Sequence, residues 1–280
     1  MKLALIQLTV EDNIEENFIK VKKFLSETIS SKSDFILLPE CFLYLSNNKE
    51  DSIKNALPLN NKYIIFFKQF SKDNKVLLLL GSLAIRSDNK IYNCSFLIDR
   101  NGEIISSYKK IHMFDVKLKN GEHYKESDVF DSGDEINLVK IDNQILGHSI
   151  CYDLRFPKLF RVLAKNGADI IVAPSAFTLN TGKKHWHTLV KARAIENGVY
   201  MIAPNQWGTN RSGRSTYGHS LVIDPWGEVI VDGLEGEKVI YCKIDLKVIN
   251  SAQSSIPTLI HDKNFEEKND KKFKINFRFQ

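Results

Sequence analysis

Short apolar runs of strand length alternate along the chain with longer stretches of helical period, the pattern of an α/β architecture. LALIQLTV (3–10) predicts a first strand, followed by a helix over about 13–31. DFILLP (34–39) predicts a buried strand and KYIIFFKQFSKDN (62–74) a helix. Strands follow at VLLLLGSLAI (76–85), at IYNCSFLID (91–99, ended by the Asn101-Gly102 turn) and at EIISSYKKIHMF (103–114). EINLVKID and QILGHSI pair around Asn143, and a helix over about 157–166 leads into the strand DIIVAPSA. The long helix KKHWHTLVKARAIENG feeds VYMIAPN, HSLVIDPWGEVIVD turns on Pro225, Trp226 and Gly227, and KVIYCKID closes the core. The stretch 116–133 has no clear period and exceeds the roughly 12–15 residues usual for a structureless loop, a length that often accompanies function.

No low-complexity linker or internal repeat divides the 280 residues, so one domain over 1–261 is expected, with a charged tail over 262–280. Hydrophobic residues at 43% and charged residues at 26% describe a globular chain, not a disordered or membrane one. The net charge of +5 is spread without a basic block, which argues against nucleic acid as a partner. Apolar runs such as VLLLL (76–80) fall far short of the roughly 20 residues a membrane helix needs. Gln7 interrupts the first apolar run and Glu11 and Asp12 follow it, so the start is read as a strand and not as a leader. Four cysteines without a CxxC pair point to free thiols in a reducing compartment, hence a cytoplasmic protein. His185 and His187, the closest histidine pair, are two apart and face different sides of a helix, so neither a metal site nor a cofactor is expected.

Chemistry is best aimed from the end of a rigid strand, and Glu40, Lys110 and Cys151 occupy such places. Glu40 is either a solvated carboxylate or a general base whose pKa, about 4.3 when free, is lifted by the apolar FILLP before it. Lys109 and Lys110 alternate across a strand, and the pattern does not choose which of them faces in. Burial as a small hydrophobe is the common fate of a free cysteine. Cys151, however, lies in a strand-to-helix turn resembling a nucleophile elbow, where the following helix would favour a thiolate. SSYK (106–109) and GHSIC (147–151) are weak matches to serine-hydrolase motifs. Trp186, Arg193 and Glu196 are expected to pack or pair within the protein.

Together LLPE, YKKIHMFD and GHSICYDLRFP resemble the three signature segments of the nitrilase superfamily of carbon-nitrogen hydrolases. PSAFTLNTGKKHW, KARAIENG and YGHSLVIDPWGEV resemble its Nit branch, whose members hydrolyse ω-amides such as deaminated glutathione and α-ketoglutaramate. The resemblance covers residues 1 to about 261. It implies a four-layer α-β-β-α sandwich, assembled as a homodimer or larger homo-oligomer. It further implies Cys151 as nucleophile, Glu40 as general base, Lys110 as the working lysine and Glu126 as the residue positioning it. The chemistry then expected is hydrolysis of a small carboxylate-bearing amide by water through a thioester, with Lys110 and the backbone N–H of Tyr152 holding the oxyanion. Candidate anchors for the substrate carboxylate are Arg155, Arg211 and Arg214. An N-carbamoyl hydrolase or other amidase on the same scaffold, or a catalytically silent metabolite-binding protein, is the competing reading. Lys158 stands where relatives usually carry an acidic residue, a departure that bears on an outer ion pair and leaves the nucleophile untouched.

Overall fold

Both faces of the first strand, Lys2–Gln7, are buried: Leu3 and Leu5 on one side, Ala4 and Ile6 on the other. With a period of two, such a strand is stable only between two apolar layers. The computed structural model, which describes residues 1–118 and 121–265, supplies both. The helices are α1 (Ile14–Ser31), α2 (Lys49–Lys54), α3 (Lys62–Asn74), α4 (Pro157–Lys165), α5 (Leu179–Asn197), α6 (Lys247–Ser255) and α7 (Thr258–His261).

One sheet runs in the order Lys238–Lys243, Lys2–Gln7, Phe35–Leu37, Leu77–Ser87, Lys90–Ile98 and Ile104–Lys109. The other runs Val229–Asp232, Leu221–Ile223, Tyr200–Ala203, Ile170–Val172, Gln144–His148 and Leu138–Ile141. Leu3, Leu5, Phe35 and Leu79 of the first sheet meet Leu146, Ile170, Val172 and Ile202 of the second in one buried layer. The outer face of the first sheet packs on α1 and α3 through Val21, Phe24, Ile64 and Phe67. That of the second packs on α4 and α5 through Phe160, Leu163, Trp186 and Val190. The result is the expected α-β-β-α sandwich, each buried Leu or Phe contributing about 1.5–3 kcal/mol.

Helix termini follow local chemistry. The side chains of Asn13, Asn48 and Asn61 accept from the first-turn amides of α1, α2 and α3, and Thr178 does the same for α5. Gly198 ends α5 in the left-handed conformation that glycine adopts without steric cost.

Three expectations need correction. The strand predicted over 103–114 ends at Lys109, which leaves Lys110 just past its end. The stretch 116–133 is not structureless: Asp115–Lys117 pairs antiparallel with His123–Lys125, and a 3-10 turn follows at Glu126–Asp128. A hairpin of three-residue strands is too short to show a period. The third concerns α5, which begins at Leu179, four residues before the predicted start, because Thr178 caps it. Trp207–Thr209 and Ser215–Tyr217 also pair, inside what reads as a loop in the sequence. The tail from 266 onward lies outside the described residues. No helix among the described residues is long and apolar enough to cross a membrane.

One irregularity positions the site. The ladder between Leu77–Ser87 and Lys90–Ile98 shifts register between Leu80 and Leu83, and Gly81 sits in that bulge. A Cβ at Gly81 would lie 2.0 Å from the Leu38 carbonyl oxygen and 2.2 Å from that of Pro39, so only glycine admits this approach. The neighbouring Ser82 Oγ accepts from the Cys41 amide at 2.9 Å. The bulge therefore seats the backbone on both sides of Glu40.

Candidate active site

Glu40 follows the strand Phe35–Leu37, Lys110 follows Ile104–Lys109 and Cys151 follows Gln144–His148 by three residues. The three elements end on the same side of the sandwich. Side chains leaving strand ends can meet there while the backbone behind them stays hydrogen-bonded. Glu126 reaches the same point from the 3-10 turn after the short hairpin.

Lys110 Nζ lies 2.8 Å from Glu40 Oε1 and 2.9 and 2.8 Å from the two carboxylate oxygens of Glu126. Lys110 is 2% exposed and Glu40 4%. Two carboxylates thus share one buried ammonium. Such a cluster holds only if the remaining lone pairs are also satisfied. Asn93 Nδ2 donates to Glu40 Oε1 at 3.0 Å and to Glu126 Oε1 at 3.2 Å. The Phe114 amide donates to Glu126 Oε2 at 2.7 Å, and the Ala176 amide to Glu40 Oε2 at 2.8 Å. Gln206 Nε2 donates to the Glu40 carbonyl at 2.7 Å, which fixes the backbone as well.

Cys151 opens a 3-10 turn, Cys151–Arg155, with a left-handed backbone (φ 45°). Such a conformation costs about 1–3 kcal/mol for a residue with a Cβ. The turn is held by Asp153, which is fully buried. Its carboxylate accepts from the Ile150 amide (2.8 Å), the Tyr108 hydroxyl (2.7 Å) and the His112 amide (3.1 Å), and His112 Nδ1 lies 2.6 Å from it. The Cys151 amide donates to the Pro174 carbonyl at 3.1 Å, tying the turn to the neighbouring strand end.

The electrostatics differ from the expectation in two ways. Burial raises the Cys151 thiol well above its ordinary value, and the facing Glu40 raises it further; Lys110 only partly offsets them. Cys151 rests as a thiol hydrogen-bonded to Glu40, not as a thiolate stabilised by a helix. Helix α4 begins only at Pro157, six residues on, too far for its terminus to act on the sulfur. Glu40 is also not lifted by apolar neighbours. Burial does push it upward, but the charge and hydrogen bond of Lys110, with those from Cys151 and Ala176, outweigh burial and leave it below the ordinary carboxylate range. Lys110 goes the other way, since the two carboxylates outweigh burial and hold it firmly as an ammonium. The resting site is thus carboxylate, ammonium and neutral thiol.

These groups form the floor of a cavity of about 610 Å³, a size typical of small-molecule sites. Its walls include Tyr124, Tyr152, Phe177 and Arg214. Of the three arginines considered as anchors, Arg214 alone lines the cavity. Its guanidinium lies 5.1 Å from the Tyr124 ring centroid, and its buried Nε has no hydrogen-bond partner among the described residues. Arg155 sits behind the wall, over the Phe177 ring at 5.3 Å and 3.4 Å from His185 Nδ1. Arg211 is turned outward and paired with Glu16 at 2.7 Å. Cys41 also lines the cavity, with its thiol pushed up to about 12, chiefly by burial. Lys158 is exposed at the start of α4 and has no ion-pair partner among the described residues. Arg193 and Glu196 pair at 2.8 Å and Trp186 is fully buried, both as expected.

Sequence reasoning passed over Asn93, Asp153 and the Ala176 amide. The signal was present for the first two: each is polar inside an apolar stretch, and a polar group buried in such a stretch must find partners.

The carbon-nitrogen hydrolase family profile matches residues 2–254. The chain is 39% identical to a deaminated glutathione amidase of Dictyostelium discoideum over 94% of both chains. It is 34% identical to another so named from Synechocystis, over 92% of this chain and 96% of that one. Among solved structures, the Nit3 protein of Saccharomyces cerevisiae, of branch 10 of the nitrilase superfamily, superposes with a TM-score of 0.83 at 28% identity, over 98% of this chain and 97% of that one. The Caenorhabditis elegans NitFhit protein superposes with a TM-score of 0.87 at 34% identity, over 93% of this chain and 64% of that longer one. A profile match over nearly the whole folded body, together with amidases this similar over nearly all of their length, shows that the chain belongs to the carbon-nitrogen hydrolase family and is an enzyme cleaving C–N bonds other than peptide bonds.

Proposed function

We propose that the enzyme hydrolyses the ω-amide of a small carboxylate-bearing acid, deaminated glutathione being the first candidate, through a thioester on Cys151. The observation that carries this reading is Glu40 and Cys151 together on the floor of one cavity, with Glu40 2.8 Å from the Lys110 ammonium and the Cys151 thiol held neutral by burial and by Glu40. A thiol held neutral attacks efficiently only if a base takes its proton as the S–C bond forms. Glu40 is that base. As Cys151 Sγ adds to the amide carbon, its proton passes to Glu40 and the carbonyl oxygen becomes an oxyanion. Lys110 and the Tyr152 N–H hold that oxygen in a site largely shielded from water, where fixed charge and dipoles act strongly. Glu40 returns the proton to the departing amine, the C–N bond breaks, and the thioester remains. Water then gives its proton to Glu40 and adds to the thioester, and collapse restores the Cys151 thiol and the free acid. Glu126 keeps Lys110 in place.

The cavity supports a substrate larger than a five-carbon amide, and the relatives named for deaminated glutathione support the same choice. Arg214 is the carboxylate anchor, because it alone of the three candidate arginines faces the cavity and its Nε is unpartnered. Ammonia or amine release measured over ω-amides with and without a carboxylate, carbamoyl compounds and nitriles tests the substrate class. With Arg214→Met, KM for carboxylate-bearing amides should rise about 10- to 100-fold, the worth of a charged hydrogen bond, while KM for a neutral amide stays put. An equal rise for both would remove Arg214 from this role.

The proton inventory also sets the pH profile. Glu40 works ionised, held below the ordinary carboxylate range by Lys110 against the pull of burial, while burial and Glu40 hold the Cys151 thiol well above the ordinary thiol range. Turnover should therefore be flat from about pH 6 to pH 8 and fall only as Glu40 protonates. A rise following a thiol of pKa about 8.5 would instead indicate a preformed thiolate.

A further inference from the structure

His187 was set aside in the sequence because its near neighbour His185 faces another side of the helix. In the fold it meets a different histidine. His187 Nε2 of α5 lies 3.0 Å from Asp232 Oδ2, at the end of the strand Val229–Asp232. His219 Nδ1, just beyond the strand Ser215–Tyr217, lies 3.0 and 3.1 Å from the two Asp232 oxygens. One ligand atom from each residue lies within 4.8 Å of the others. We propose that His187, His219 and Asp232 bind a divalent transition-metal ion of the zinc class, at a site separate from the catalytic cavity, which none of the three lines.

The donor set is two imidazoles and one carboxylate, which suits zinc with a water in the fourth position. Bonds of roughly 2.0–2.2 Å at tetrahedral angles put neighbouring donor atoms about 3.3–3.5 Å apart. The two histidine–Asp232 spacings need to open by only a few tenths of an ångström, and the His187 and His219 donor atoms already lie within 4.8 Å of each other. The Leu234 amide donates to Asp232 Oδ1 at 2.8 Å, orienting the carboxylate and leaving Oδ2 toward the histidines. The site is open to solvent: the side chains of His187, Asp232 and His219 are 36%, 23% and 17% exposed. His219 sits in a left-handed conformation (φ 53°), anchored through its carbonyl by Trp186 Nε1 at 2.7 Å. A bound ion would cross-link α5, the segment before Leu221–Ile223 and the strand Val229–Asp232. The Tyr217 amide donates to the Phe177 carbonyl, so this cross-link lies directly behind the segments carrying the cavity residues Phe177 and Arg214.

The test uses the full chain carrying Cys151→Ala, so that ions cannot collect on the catalytic thiol. After chelation, calorimetric titration with Zn²⁺ should give one equivalent. Co²⁺ in its place should give visible d–d bands without thiolate-to-cobalt charge transfer. His187→Gln, His219→Asn and Asp232→Asn should each weaken Zn²⁺ binding by about 100-fold or more, since even outer-shell losses cost 10–100-fold. Unchanged metal-free melting, and unchanged turnover when Cys151 is retained, would show that these variants are folded. His187 is exposed enough on α5 for its variant alone to decide the matter. No zinc uptake by the parent, uptake indifferent to the three substitutions, or a thiolate band with cobalt would each overturn the proposal.

Discussion

Replacing Cys151 with alanine should abolish turnover while leaving the fold intact. Removing the nucleophile of a hydrolase costs on the order of 10⁴- to 10⁶-fold in kcat, because the attack has no substitute. The side chain is small, and the turn that carries it is held by Asp153 and by the backbone bond to Pro174, neither of which involves the sulfur. Loss of the left-handed backbone's cost is not expected, since alanine also carries a Cβ. Ammonia or amine release measured beside thermal melting checks both halves. A variant that retains turnover would end the assignment of Cys151, whereas a change in melting of more than a few degrees would mean that the thiol also has a structural part.

The second large effect belongs to Lys110. Lys110→Met should lower stability by about 3–5 kcal/mol, because it leaves Glu40 and Glu126 buried against each other without a cation. For a chain of this size that is a fall in melting temperature of roughly 6–20 °C. Turnover should fall by at least about 10²-fold from loss of the oxyanion charge. Glu126→Gln added to Lys110→Met should recover most of the stability, since one buried charge is removed, but none of the activity. That split separates the two roles of Lys110. A single variant that melts like the parent would show that the ion cluster is not what holds Glu40 in place.

Much of the fold was legible because its signal is local. The burial of both faces of Lys2–Gln7 and of Ile170–Val172 is written as unbroken apolar runs, and the asparagine caps stand directly before the helices they start. Glu40, Lys110 and Cys151 attract attention because polar residues at the ends of apolar strands have few bland explanations in combination. What the sequence does not carry is distance. Asn93 and Glu40 are 53 residues apart, and only the pairing of Leu77–Ser87 with Lys90–Ile98 brings one beneath the other. The pKa directions of Glu40 and Cys151 reversed for the same reason. Each was judged from its own flanking residues, whereas Lys110 lowers one and Glu40 raises the other across the gap between strand ends. His187 likewise found its partner 32 residues on, at His219, and not at His185.

The arginines illustrate the limit differently. Arg155 follows the nucleophile by four residues, yet the 3-10 turn carries it behind Tyr152 and Phe177. Arg211 and Arg214 share one loop, but the pairing of Trp207–Thr209 with Ser215–Tyr217 turns Arg211 toward Glu16 and Arg214 into the cavity. Strands of three residues have too little pattern for such a turn to be anticipated.

The central claim is the covalent intermediate, and it can be observed directly. Enzyme quenched in acid during steady-state turnover of an ω-amide, then digested and weighed, should show the peptide containing Cys151 heavier by the acyl group, with the added mass removed by hydroxylamine. A Cys151 peptide of unmodified mass, at substrate concentrations that saturate turnover, would contradict the thioester route.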